Sequence, residues 1–276
     1  MSTEETSRPE TLADAAEELS DTVALDVVAR FGFAVLAVVH ILIGVVALQI
    51  AFGGTGQAEP TGALEQLATG IAGPWTMWAF AIGCAGLALW QFSESTLRAR
   101  RLPVGKRLAK AISSGSLVVI YGSMALTMAR FAIGNEPDSS EFTRDFTRSM
   151  MAHPLGISVV LVVGGTVLGI GCYFVVKGLR RSFRPELQHF ENSRRGAVID
   201  ALGVVGHVAK GAALILVGLL FAVAALTNRP SQSTGLDGSL KALQDHPFGD
   251  AVLVAIAVGL ICYGIFAVIR ARFGRM

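Results

Sequence analysis

Two basic side chains fall inside stretches whose other residues are almost all apolar, His40 and Lys210. An ammonium in hydrocarbon is costly unless it snorkels to the headgroups, finds a partner or faces water. Lys210 therefore has two readings, a snorkelling lysine near the edge of its run or an inward-facing contact for an anion or phosphate. No carboxylate stands at a similar depth; Asp26, Glu94 and Asp200, at the edges of the apolar runs, are the counter-ions within reach. His40 lies near the middle of its run. Its bland reading is a neutral ring bonded to a carbonyl or hydroxyl of a neighbouring helix, and its functional reading is a polar position in a channel or pocket. Haem ligation would want a second histidine at matching depth, and His207 stands too near its helix end, so no cofactor is expected.

Other chemistry-bearing patterns are thin. No GxSxG elbow, HExxH pair or paired intramembrane aspartates occur, and an enzyme is not expected. The run Gly164-Gly165-Thr166-Val167-Leu168-Gly169-Ile170-Gly171 faintly resembles a nucleotide fingerprint. It sits inside an apolar span with no strand before it, so its Gly165/Gly169 spacing reads as close helix packing. His153-Pro154, His246-Pro247 and Pro74 precede apolar runs and read as helix starts; a metal site would need both histidines to meet, with further ligands. Cys84, Cys172 and Cys262 share no CxxC spacing and read as small buried hydrophobes, with no metal and no disulfide.

The elements that must carry these residues follow from the composition. Apolar residues make up 52% and charged residues only 16% of the 276, below the quarter or so of an ordinary soluble domain, which makes lipid the solvent. A net charge of +2, with its cations set beside apolar runs, excludes nucleic acid as a partner. Apolar stretches at 31–52, 74–93, 112–133, 155–176, 201–226 and 250–269 match the roughly 20 residues that cross a bilayer. The expected fold is thus an all-α membrane protein with six transmembrane helices.

Orientation follows from the flanking charges. Arg98, Arg100, Arg101, Lys106, Arg107 and Lys110 follow the second span, Lys177, Arg180, Arg181, Arg184, Arg194 and Arg195 follow the fourth, and Arg270, Arg272 and Arg275 lie in the tail. The opposite segments are poor in cations. A multi-pass protein of the plasma (inner) membrane with both termini cytoplasmic is expected. Each outer segment holds a short amphipathic stretch, Gly62–Ala68, Ser140–Met151 and Gly238–Gln244, read as a lid. Residues 1–29 are acidic where a cleavable signal would be basic and then apolar; within them 9–29 reads as a surface helix docking on the basic inner segments.

Internal similarity orders the spans. Ile41-Leu42-Ile43-Gly44, Val119-Ile120-Tyr121-Gly122 and Ile215-Leu216-Val217-Gly218 recur in spans one, three and five. Gly62-Ala63-Leu64 answers Gly238-Ser239-Leu240, His153-Pro154-Leu155-Gly156 answers His246-Pro247-Phe248-Gly249, and Cys172-Tyr173 is paired with Cys262-Tyr263. Three two-helix units result, at 27–101, 103–184 and 197–276, after an acidic segment 1–26. On these motifs the chain resembles a bacterial three-repeat integral membrane family, common in actinobacteria, known as domain of unknown function 1206. The resemblance implies a triplicated helix pair and no activity. In that family a basic residue often precedes the small residue of the first helix; Lys210-Gly211 keeps the pair, whereas Leu36-Ala37 and Ser114-Gly115 depart from it.

Two-span units return the chain to its starting side, so the copies have parallel orientation and a pseudo-threefold arrangement is expected. Aligning the glycines sets His40 one turn beyond the Lys210 position on the same helix face, with Ser114 in the Lys210 position of the second copy. If those faces converge, His40, Ser114 and Lys210 line a narrow, partly polar channel or pocket with Lys110 and the glycines Gly32, Gly44, Gly122, Gly206 and Gly218. Two functions remain: a binding or accessory scaffold for lipid or a membrane partner, and a small-solute or ion transporter or channel along the pseudo-axis. Continuous spans without paired intramembrane charges favour the first. Expected partners are membrane lipids and a protein partner or second copy.

Overall fold

A computed structural model describes residues 23–68, 73–96, 104–135, 139–153, 155–187 and 194–274, and among them are six long α-helices and three short ones. In order they are α1 (Val23–Ala51), α2 (Pro60–Ala68), α3 (Gly73–Thr96), α4 (Val104–Ala132), α5 (Ser139–Met151), α6 (Gly156–Leu179), α7 (Arg194–Thr227), α8 (Leu236–Gln244) and α9 (Gly249–Phe273). Among the described residues there is no β-strand, only an isolated backbone bridge between Leu187 and Gly274. Among the described residues five helices are long and apolar enough to cross a membrane, over Arg30–Ala51, Gly73–Ser93, Gly156–Leu179, Gly196–Thr227 and Gly249–Phe273. In α4 the apolar part is shorter, Leu117–Ala132, because Lys106, Arg107, Lys110, Ser113 and Ser114 occupy its first turns.

The short helices α2, α5 and α8 fall on the three stretches read as lids. They gather at one end of the bundle, where α5 packs against α8 and the turn at Pro230–Gln232. The lids are tied to the bundle by few bonds: Ala58 N–H donates to Asp237 Oδ1 at 2.8 Å and Gln244 Nε2 to the Ile50 carbonyl at 3.2 Å. From α5 and α8 the chain turns into α6 and α9 through corners so tight that a Cβ on Gly156 or Gly249 would lie 1.6 Å from the carbonyl oxygen of Met150 or Leu243. Pro247 stands in its corner, before the first helical residue Gly249, whereas Pro74 does lie in the first turn of α3. At His246-Pro247 the motif therefore builds the reversal ahead of the helix, a small correction to its reading as a helix start; Pro154 lies outside the described residues.

Of the acidic surface helix expected at 9–29, residues 9–22 lie outside the described residues. Residues 23–29 belong to α1 itself, because nothing in Val23–Arg30 breaks the helix before the span begins.

The long helices pack in the order α4, α3, α1, α9, α7, α6. Three contacts join different repeats: α3 with α4, α6 with α7, and α9 with α1. Two of these joints are congruent. A Cβ on Gly218 of α7 would lie 2.8 Å from Gly164 O and 2.7 Å from Leu168 N of α6. On Gly44 of α1 it would lie 2.7 Å from Ala257 O and 3.1 Å from Ile261 N of α9. Gly164 and Leu168 thus occupy the places of Ala257 and Ile261, and Gly171, against Gly211 and Ile215, the place of Gly264, against Ala37 and Ile41.

That register corrects the sequence pairing of Cys172-Tyr173 with Cys262-Tyr263. Packing is set by the small residues, and with Gly171 on Gly264 the partner of Tyr173 is Phe266 and that of Tyr263 is Ile170.

Within the repeats, α1 packs on α3 and α7 on α9, but among the described residues α4 and α6 form no comparable contact. The closed pseudo-threefold ring expected from the sequence is therefore open at one seam. α6 buries only the stripe Gly156, Val160, Gly164, Gly171 and Gly178. Gly165 and Gly169, expected to pack closely, have nothing within 4 Å of a Cβ.

An aromatic cage around Lys210

Lys210 rises from α7 one turn after His207, and both side chains point at α9 and α6. His207 is buried, and its Nδ1 lies 2.7 Å from the Gly203 carbonyl one turn back, the donor geometry of a protonated Nδ1. Its ring stacks on Phe183, with centroids 5.0 Å apart and planes at 13°, and meets Tyr263 and Phe266 edge-on at 5.2 and 5.1 Å. Aromatic neighbours on three sides lock this histidine, which makes it a packing element.

The Lys210 ammonium lies 4.2 Å from the centre of the Tyr263 ring and 4.8 Å from that of Phe174. Among the described residues no carboxylate stands within ion-pair distance of it. Asp200, one of the counter-ions read from the sequence, is bound to Arg184 instead; the side chains of Asp26 and Glu94 lie outside the described residues. Ring faces attract a desolvated cation by about 2 kcal/mol, which offsets part of its transfer cost.

His40 joins from α1. Its ring centre is 4.7 Å from that of Tyr263, and its Nδ1 lies 2.8 Å from the Leu36 carbonyl. The bond thus runs back along its own helix and not, as expected, to a neighbour. The structure brings His40 and Lys210 to one phenol ring and leaves both partly accessible. Ser114, the third residue singled out, is buried on α4, and among the described residues no hydrogen bond or ring contact ties it to the cage. The Lys110 side chain lies outside the described residues. Gly32, Gly44, Gly206 and Gly218 sit at helix contacts and do not line a channel; only Gly122 faces open space.

Two residues of the cage were missed from the sequence, Tyr263 and Phe174. The available signal was a lone tyrosine deep in an apolar span, but its partner was legible only once the register of α9 against α7 was known.

Beyond the cage lies the end of the bundle opposite the lids. Lys177 of α6 and Arg270 of α9 meet on one carboxylate, Glu186, at 2.5 and 2.8 Å. In the packing register these two cations occupy one position of the repeat, for which the first repeat has Glu94. The Arg270 guanidinium also covers the Phe33 ring at 4.5 Å. Arg30 donates to the carbonyls of Ala271, Arg272 and Gly274 at 3.1, 3.1 and 3.2 Å, fastening the end of α9 to the start of α1. At the lid end an open cleft of about 600 Å³ is lined by Gly54, Thr55, Gly56, Lys241 and Asp245. Among the described residues no three metal-ligating side chains converge, there or elsewhere.

Compared with known proteins, the chain matches the model of Domain of Unknown Function (DUF1206) three times, at residues 31–98, 113–181 and 205–274. It is 25% identical over 249 residues to the uncharacterized protein YxxB of Bacillus subtilis (strain 168), covering 90% of each chain. No solved structure matches it.

Proposed function

The chain belongs to the domain of unknown function 1206 family, with three consecutive copies of the domain, and from that premise we propose that it is a membrane-embedded binding protein. It holds a lipid or a membrane partner without carrying it across. One observation bears most of the weight: Lys210 sits partly accessible in an aromatic cage, with no carboxylate beside it among the described residues, in a bundle open on one side. Toward the end opposite the lids, the His207, Phe183 and Phe266 stack and the Glu186 ion pairs fill the space between α6, α7 and α9. A site with a side entrance and a filled end suits retention better than passage, and binding better than catalysis.

In this reading α4 is the sixth crossing. Its 29 residues extend about 43 Å at 1.5 Å each, and it must carry the chain from the end where α3 finishes to the lid end where α5 lies. The arginine-rich end faces the cytoplasm with both termini, in the plasma membrane, on the bias of Lys and Arg toward that side.

Conduction along the axis is the competing reading, supported by the partial accessibility of His40 and Lys210. Proteoliposomes separate the two: no ion or proton flux above protein-free vesicles is expected, with lipid carried through purification. Flux abolished by His40→Ala or Lys210→Ala would replace binding with transport.

A further inference from the structure

In the first and third repeats the two helices of the unit touch through a reciprocal pair of glycines. A Cβ on Gly32 of α1 would lie 2.4 Å from Gly83 O and 2.3 Å from Leu87 Cγ, and one on Gly206 of α7 would lie 2.5 Å from Tyr263 Cα. From the other side, Gly83 of α3 faces Phe31 and Val35, and Gly259 of α9 faces Ala209 at 2.1 Å. Leu87 and Tyr263 hold one place in the repeat, Gly83 and Gly259 another. In the middle repeat that register puts Lys110 where Gly32 and Gly206 stand, and Thr166 where Gly83 and Gly259 stand. Thr166 is exposed, with its hydroxyl donated to the Val162 carbonyl at 2.7 Å, and among the described residues α4 and α6 form no contact comparable to those of the other pairs. The helices that lack the glycines are the ones that stay apart, as close approach in a membrane requires small residues at the contact.

In sequence, Lys106, Arg107 and Lys110 stand in the first turns of α4, and Lys177, Arg180 and Arg181 at and just after the end of α6. Phe174 of α6, one wall of the cage, is itself partly accessible. An apolar gap between helices suits acyl chains, and a cation at its inner end, with no carboxylate paired to it among the described residues, suits phosphate oxygens.

We propose that the cage takes the anionic headgroup of a single membrane lipid, admitted sideways between α4 and α6 where the middle repeat lacks the glycine pair of the other two. This rests on the binding reading above and names its ligand.

The test uses the full chain in nanodiscs holding equal phosphatidylglycerol and phosphatidylcholine, with retained lipid counted by native mass spectrometry. One phosphatidylglycerol is expected per chain. Its retention should fall about tenfold in Lys210→Gln, equivalent to about 1.4 kcal/mol, and return in Lys210→Arg, which also reports that the variants fold. The double variant Lys110→Gly/Thr166→Gly restores the glycine pair and should exclude the lipid, whereas Lys110→Gln, which removes only the charge, should not. Equal loss in Lys110→Gln overturns the role of the opening. Retention of both lipids alike, or no effect of Lys210→Gln, overturns the anionic headgroup while leaving the binding reading intact; no retained lipid of either kind removes the binding reading as well. Heat protection by inorganic phosphate alone, undiminished in the double variant, would identify a free anion and overturn the lipid.

Discussion

At the scale of single residues, the glycines divide sharply by what surrounds them. Gly249 leaves no room for any side chain, with the Leu243 carbonyl 1.6 Å from where a Cβ would stand, and Gly156 repeats the situation against Met150. Relief would require moving backbone, so Gly249→Ala is expected to cost about 3 kcal/mol or more, seen as a lowered melting temperature in detergent. Gly165 and Gly169 have open space instead. Gly169→Ala should be neutral or stabilise by up to about 1 kcal/mol, the helix propensity difference between the two residues. A destabilised Gly169→Ala would show that this face of α6 is covered. The same contrast marks what the sequence could not disclose: the Gly165/Gly169 spacing has the form of a packing motif, but a motif names a face and not its partner. His40 and Lys210 were legible because polar atoms in an apolar run stand out. Tyr263 was not, because its importance comes from three other helices.

Among the elements, the joint between α6 and α9 depends on one carboxylate serving two cations. Glu186→Gln leaves Lys177 and Arg270 facing each other without it, and both are largely shielded from water. A loss of about 1 to 2 kcal/mol is expected, between the values for exposed and buried pairs. Arg270→Gln should cost less in the Glu186→Gln background than in the native chain, since the pair shares its energy; additive losses would show that the two cations do not depend on Glu186. The lid helices and five of the apolar spans were readable from period and length. Their register was not: two Cys-Tyr dipeptides attracted the alignment nearly one turn away from the packing, which follows glycine and alanine. Chemically distinctive residues draw the eye, but in this bundle the inconspicuous ones set the contacts.

For the molecule as a whole, the sequence led to a triplicated unit and hence a closed ring, and symmetry hid the exception. Nothing in a single copy says that Lys110 and Thr166 occupy glycine positions; that is visible only when two other copies show what the positions do. Thiol labelling reads the global packing directly. Cys84 is buried and Cys172 exposed, so in detergent a maleimide should modify Cys172 and spare Cys84 until the protein is denatured. Early labelling of Cys84 would contradict the central packing of α3 against α1.

Arg30 holds the last carbonyls of α9, and the α9–α1 joint has the geometry of the α6–α7 joint, which the chain itself connects. The α9–α1 boundary is therefore built like an internal junction. A circular permutant that links Gly274 to Val23 and opens between Leu187 and Arg194 should insert and assemble like the parent, because the two joints carry equivalent contacts.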